Sequence, residues 1–152
     1  MVEYTSLHLE TTDLTGVEIA VEAILEPGWN VYLAPSKRWT SVFFSNLEGH
    51  DAADLEQFVT PLSIVYRTIV LVGDDEENHY FEYRHGRCID ALNGEIGPRV
   101  AELEIPTALA FTDFDGLQEL EYEDELPENI IKLEREPEKP GMAEFFGRSE
   151  DE

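Results

Sequence analysis

The chain has 152 residues, of which 34 are Asp or Glu and only 10 are Lys or Arg, for a formal net charge of −24. That length points to one domain, and 42% hydrophobic with 11% aromatic residues is enough to build a core, which excludes wholesale disorder. The charge counts against direct grip on nucleic acid or an anionic membrane, because both attract Lys and Arg.

Tyr4 to Glu10 alternates in part and reads as a first strand. Thr11-Thr12-Asp13 can open a helix, and Thr15 to Glu18 fits a capping box. Val17, Ala20, Val21, Ile24 and Leu25 then recur at helical spacing until Pro27-Gly28. Two apolar runs, Trp29 to Ala34 and Trp39 to Ser45, flank Pro35-Ser36-Lys37-Arg38 and predict a β-hairpin. Asp51 can cap a second helix whose stripe is Leu55, Phe58, Val59 and Leu62, with Pro61 inside it. Thr68 to Val72 is a nearly continuous apolar run, as in a strand covered on both faces. After the acidic loop Gly73 to Asn78, His79 to Arg84 and Arg87 to Leu92 flank His85-Gly86 and predict a second hairpin.

Those elements begin β-α-β-β-α-β, the ferredoxin-like order. The expected class is therefore α+β: a ferredoxin-like core with an added β-strand or hairpin and an acidic C-terminal extension. Its helices are expected on one face of a mixed, mainly antiparallel sheet. A single core is expected to hold Val17, Val21, Ile24, Leu55, Phe58, Leu62, Ile69, Leu71 and Phe81. Val100 to Phe111 is apolar but broken at Ile105-Pro106, and Leu117 to Glu123 alternates apolar with acidic, predicting an acidic edge strand. Ile130 and Ile131 return to the core. The expected division is one domain over 1–134 and a Pro-containing acidic tail over 135–152, whose Met142 to Phe146 forms a short docking element.

Chemistry is harder to find than surface character. Cys88 is the single cysteine, so no disulfide within the chain and no Cys-based zinc site can form. The four histidines lack H-x-x-x-H spacing, no serine lies in G-x-S-x-G, and no Gly-rich phosphate loop occurs. Asp74-Asp75-Glu76-Glu77 has hard oxygen ligands without EF-hand spacing, so no metal site and no cofactor are expected. Without a basic, apolar leader or a membrane-length apolar run, the expected location is cytoplasmic.

Residues 1–115 carry 21 acids against 6 bases and residues 116–152 carry 13 against 4, so the negative charge belongs to the whole surface. Solubility, adaptation to high salt and mimicry of a polyanion all produce such a surface. Glu outnumbers Asp 24 to 10, which speaks against an extreme halophile. The reading reached is a non-enzymatic interaction module for a basic protein partner, of a kind that masks or inhibits a nucleic-acid-binding protein. Its candidate contacts are Glu119, Glu121, Glu123, Asp124 and Glu125, within a stretch holding six acids in ten positions. The alternative is a small enzyme or ligand-binding protein. Its residues would be Lys37, Arg38 and Trp39 at one hairpin, or Arg84, His85, Arg87 and Cys88 at the other. A lone strand Cys is ordinarily a small buried hydrophobe, so Cys88 is expected to be buried and dispensable.

Overall fold

Period-two alternation builds a sheet with two buried faces. The computed structural model describes residues 2–25, 28–45, 52–74 and 77–134. Along β1 (Val2–Leu9), Leu7 and Leu9 pack on one face, while Ser6 and His8 turn to the other. The division repeats along β2 (Asn30–Pro35), where Val31 and Leu33 oppose Tyr32 and Ala34. In β4 (Thr68–Asp74), Val70 opposes Ile69 and Leu71. With β3 (Thr40–Phe44), β5 (Asn78–Arg84), β6 (Arg87–Gly94) and β7 (Ile131–Glu134) these form a seven-stranded sheet. Its order is β6-β5-β4-β1-β3-β2-β7 and every neighbouring pair is antiparallel.

Helices α1 (Leu14–Ile24) and α2 (Ala52–Val65) cover the first face, placing Val17, Val21, Phe58, Val59 and Leu62 against it. Trp29 joins Phe44 and Phe58 in an aromatic cluster there, with ring centroids 6.4 and 5.0 Å away. The short helices α3 (Gly97–Glu102) and α4 (Thr107–Ala110), with α5 (Phe114–Tyr122), cover the second face. The sheet is thus purely antiparallel with helices on both sides, not mixed with helices on one. Ile69 and Leu71 consequently sit in a different core from Val17 and Phe58. A strand as apolar as β4 needs cover on both faces, and α3 and α4 provide it on the second.

The segment expected as an acidic edge strand, Leu117 to Glu123, is helical instead. Asp113 caps α5 by accepting from the Gly116 N–H at 2.8 Å, and Phe114 and Leu117 then fall on one buried face. Likewise α1 is capped by Asp13, accepting from the Gly16 N–H at 3.1 Å, and not by Thr15. Pro61 is accommodated within a continuous α2. The side chain of Leu55, the expected cap Asp51, Pro27, His50, Asp75, Glu76 and the segment 135–152 with Met142, Phe145 and Phe146 lie outside the described residues.

Candidate functional site

The expected contact residues divide once α5 is a helix. Asp115, Glu119 and Glu123 are exposed and spaced four apart, so they form one row down its outer side, about 6 Å between successive Cβ atoms. Glu121 turns inward. It accepts a hydrogen bond from the Tyr32 hydroxyl and lies 3.6 Å from Lys132 Nζ. Burial first, and then that bond, push the Tyr32 phenol above its ordinary range. Asp124 and Glu125 extend the exposed acids past the helix end, and Tyr122 stands among them with 78% of its surface exposed. Among the described residues, no cation forms an ion pair with Glu119, Glu123, Asp124 or Glu125.

Most of the described cations are engaged elsewhere. Arg38 Nε donates to Glu10 at 2.8 Å, Glu10 also lies 3.4 Å from Arg67, and Arg67 Nε donates to Glu82 at 2.7 Å. Arg84 Nε completes the chain on the same Glu82 oxygen at 3.1 Å. Two positions from separate hairpins, Arg38 and Arg84, are thereby joined through Glu10, Arg67 and Glu82. Burial works against the Glu82 charge, but the hydrogen bonds from Arg67 and Arg84 outweigh it and hold the carboxyl below its usual range. Burial also opposes the Arg67 charge, and Glu82 and Glu10 reverse that effect.

Trp39 lies inside this network and is fully buried; its indole N–H donates to the Leu103 carbonyl at 2.7 Å. The Arg38 and Arg67 guanidiniums lie 5.7 and 5.6 Å from its ring centre, within cation–π range. Lys37 is exposed at the hairpin tip.

The second hairpin turns through His85 and Gly86, whose φ of 54° and 80° are those of a type I′ turn. Gly86 meets the second positive φ without strain, while His85 adopts the first with a side chain. Ser63 of α2 fastens the turn: its carbonyl accepts from the His85 N–H at 2.8 Å and its Oγ from the Gly86 N–H at 2.9 Å. Arg84, His85 and Arg87 are exposed, and a cleft of about 90 Å³ lies among Ser63, Ile64, Tyr66, Arg67, Arg84 and His85. Cys88 is exposed rather than buried, since β6 is the edge of the sheet; its Sγ meets the Asp90 carbonyl at 3.5 Å. Among the described residues, no group of His, Cys, Asp and Glu could hold a metal ion, and no helix is long and apolar enough to cross a membrane.

No family model, curated protein sequence or solved structure matches the chain. The function must therefore be read from the surface itself.

Sequence reasoning passed over Glu10, Arg67 and Glu82, which tie the ionic network together, and His8. The signal for Glu82 was a charge at an inward position of a strand, between Tyr80 and Arg84 on the same face. His8 is fully buried between two serines. Ser6 Oγ donates to the Ala110 carbonyl at 2.7 Å, so it accepts from His8 Nε2 at 2.9 Å. That leaves Nδ1 to accept from Ser41 at 2.6 Å, the neutral Nε2–H tautomer. Burial drives the His8 pKa down to about 3. All three members of this Ser41–His8–Ser6 chain are fully buried, so it locks α4 to β1 rather than presenting a nucleophile.

Proposed function

We propose that the protein is a non-enzymatic interaction module whose acidic surface engages a basic protein partner, and that it masks or inhibits that partner. The strand order β4-β1-β3-β2, threaded β-α-β-β-α-β, supports a ferredoxin-like core within the larger sheet. In this reading residues 1–134 work as one cytoplasmic domain and 135–152 as its acidic tail, with Met142 to Phe146 as a docking element.

One observation carries the reading: the C-terminal end of α5 is acidic where physics favours bases. No basic residue lies in its last turn, yet Glu119, Glu121, Glu123, Asp124 and Glu125 crowd there. Helix C-termini carry partial negative charge, so each exposed carboxylate costs about 0.3–1 kcal/mol, and the four-apart pairs repel further. A sequence that accepts this cost around an exposed aromatic is built for something other than α5 stability. Tyr122 is the kind of side chain that anchors interfaces, and carboxylates around it raise the on-rate for a cationic partner. Affinity capture with mass spectrometry at low and high ionic strength tests the proposal. A protein of basic composition should be retained at low salt, released at high salt, and lost from a variant carrying Glu119→Gln, Tyr122→Ala and Glu123→Gln. Identical capture by that variant would end the reading.

A second reading, a ligand-binding protein or small enzyme around Arg84 to Cys88, is favoured by the cleft beside Arg84 and His85. A small anion retained in native mass spectrometry, or an activity lost on Cys88 alkylation, would select it instead.

A further inference from the structure

The long edge of the sheet bears on how a basic partner would be held. Strand β6 ends the sheet on one side, and among the described strands it has only β5 beside it. Sheet edges are ordinarily blunted by short length, proline, lysine or a bulge. The opposite edge, β7, has four residues and Lys132, whereas β6 has eight, with neither proline nor lysine. Its one such device is a bulge, where Glu82 faces Asp90 and Tyr83 faces Cys88, so Ile89 is 54% exposed and the Ala91 N–H donates to Asp90 Oδ1 at 2.9 Å.

Beside this edge, between β6 and α3, runs an open groove of about 290 Å³ lined by Leu92, Glu95, Pro98, Arg99 and Glu102. Its one cation is already committed. Arg99 lies 2.9 Å from Asp90 and 3.6 Å from Glu102, with its guanidinium 5.1 Å from the Tyr80 ring centre. Among the described residues, Glu95 has no cation in ion-pair contact, and Glu102 is exposed. Half-buried Leu92 and exposed Pro98 are the apolar members of the same lining. A lining that combines apolar side chains with carboxylates matches a Lys or Arg side chain, whose stem is apolar and whose head is charged.

We infer that β6 and this groove receive a basic peptide in extended form, which adds as a strand to the open edge and sets a Lys or Arg between Glu95 and Glu102. This rests on the reading above that the partner is basic, and it names the form in which that partner is held. Main-chain ladder bonds to β6 supply affinity, and the groove selects the one basic side chain that enters it.

The test uses the full chain and fluorescent eight-residue peptides: alternating Lys–Val, alternating Glu–Val, and Lys–Val versions N-methylated on one or the other set of alternate amides. Anisotropy reads binding, and amide hydrogen exchange reads its location. The Lys–Val peptide should bind and protect amides of Arg87 to Gly94, the Glu–Val peptide should not bind, and one of the two N-methylated versions should fail. Glu95→Gln with Glu102→Gln should weaken binding about tenfold. Equal binding of both N-methylated peptides, unchanged affinity of the double variant, or β6 protection that rises with protein concentration alone would overturn the inference. Protection confined to α5 would also overturn it while leaving the acidic-surface reading intact. That reading fails separately, if lysate capture yields no salt-sensitive basic protein.

Discussion

Burial leaves His8 no room for a second proton. Its two nitrogens are taken by Ser6 and Ser41, and a charge there would be stranded between sheet and α4. With a folded pKa of about 3 against an ordinary 6.5, the unfolded chain binds the extra proton throughout that interval. Stability from this group is complete above pH 6.5 and falls as pH drops, by up to about 1.4 kcal/mol per unit. Glu82, held below the usual carboxylate range, has the same sign at lower pH: its contribution is present above its unfolded pKa and lost as pH falls through the folded one. Protonation of surface acids works in the opposite direction by relieving repulsion, so the informative quantity is a difference between variants. Denaturation between pH 7 and 5 should show a steeper loss for the wild type than for His8→Gln, whatever the variant's stability at pH 7. Phe58, packed 5.0 Å from Trp29 and 5.5 Å from Phe44 by ring centroid, sets a second expectation. Phe58→Ala should lower the urea midpoint by an amount corresponding to about 3–5 kcal/mol.

At the scale of elements, α5 ends in a Schellman arrangement with the wrong residue in it. The Glu125 N–H reaches the Leu120 carbonyl at 2.8 Å and the Asp124 N–H reaches Glu121 at 3.2 Å, while Asp124 takes the left-handed φ of 59° that glycine usually occupies. Asp124→Gly should therefore raise stability by about 1 kcal/mol, read as a higher thermal midpoint. In the interaction reading the same change weakens partner binding, a trade of function for stability.

The same helix shows where the sequence was hard to read. From Leu117 to Glu123, Leu120 and Tyr122 alternate with Glu119, Glu121 and Glu123, which imitates a strand over seven residues. The true signals lie earlier, in the Asp113 cap and the three-residue step from Phe114 to Leu117. By contrast α1, α2, both hairpins and β4 were legible, because their apolar spacing or turn residues are local properties. The second layer of helices was not, since α3 and α4 span only six and four residues, too few to show a period. The ionic network was least legible of all. Glu10 and Glu82 meet at Arg67 only because β1, β4 and β5 are neighbours, and no spacing along the chain records that.

For the whole molecule, a net charge of −24 on 152 residues makes self-repulsion a standing cost. Most of the described cations cannot relieve it generally, because Arg38, Arg67, Arg84, Arg99 and Lys132 are each paired within a local cluster. Salt should screen the remaining repulsion over a Debye length of about 10 Å at 0.1 M, so the thermal midpoint should rise with sodium chloride. In the interaction reading, stability and partner binding respond to salt in opposite directions, which separates a surface that only keeps the protein dispersed from one that recognises something. The most direct test is the slope of log affinity against log salt for whatever basic protein the capture experiment yields. It should be measured with the wild type and with a variant neutralised at Glu119, Glu123, Asp124 and Glu125. The account predicts a steep loss of affinity with salt for the wild type and a distinctly shallower slope, with weaker binding at low salt, for the variant. Equal slopes and equal affinities for the two proteins would contradict it.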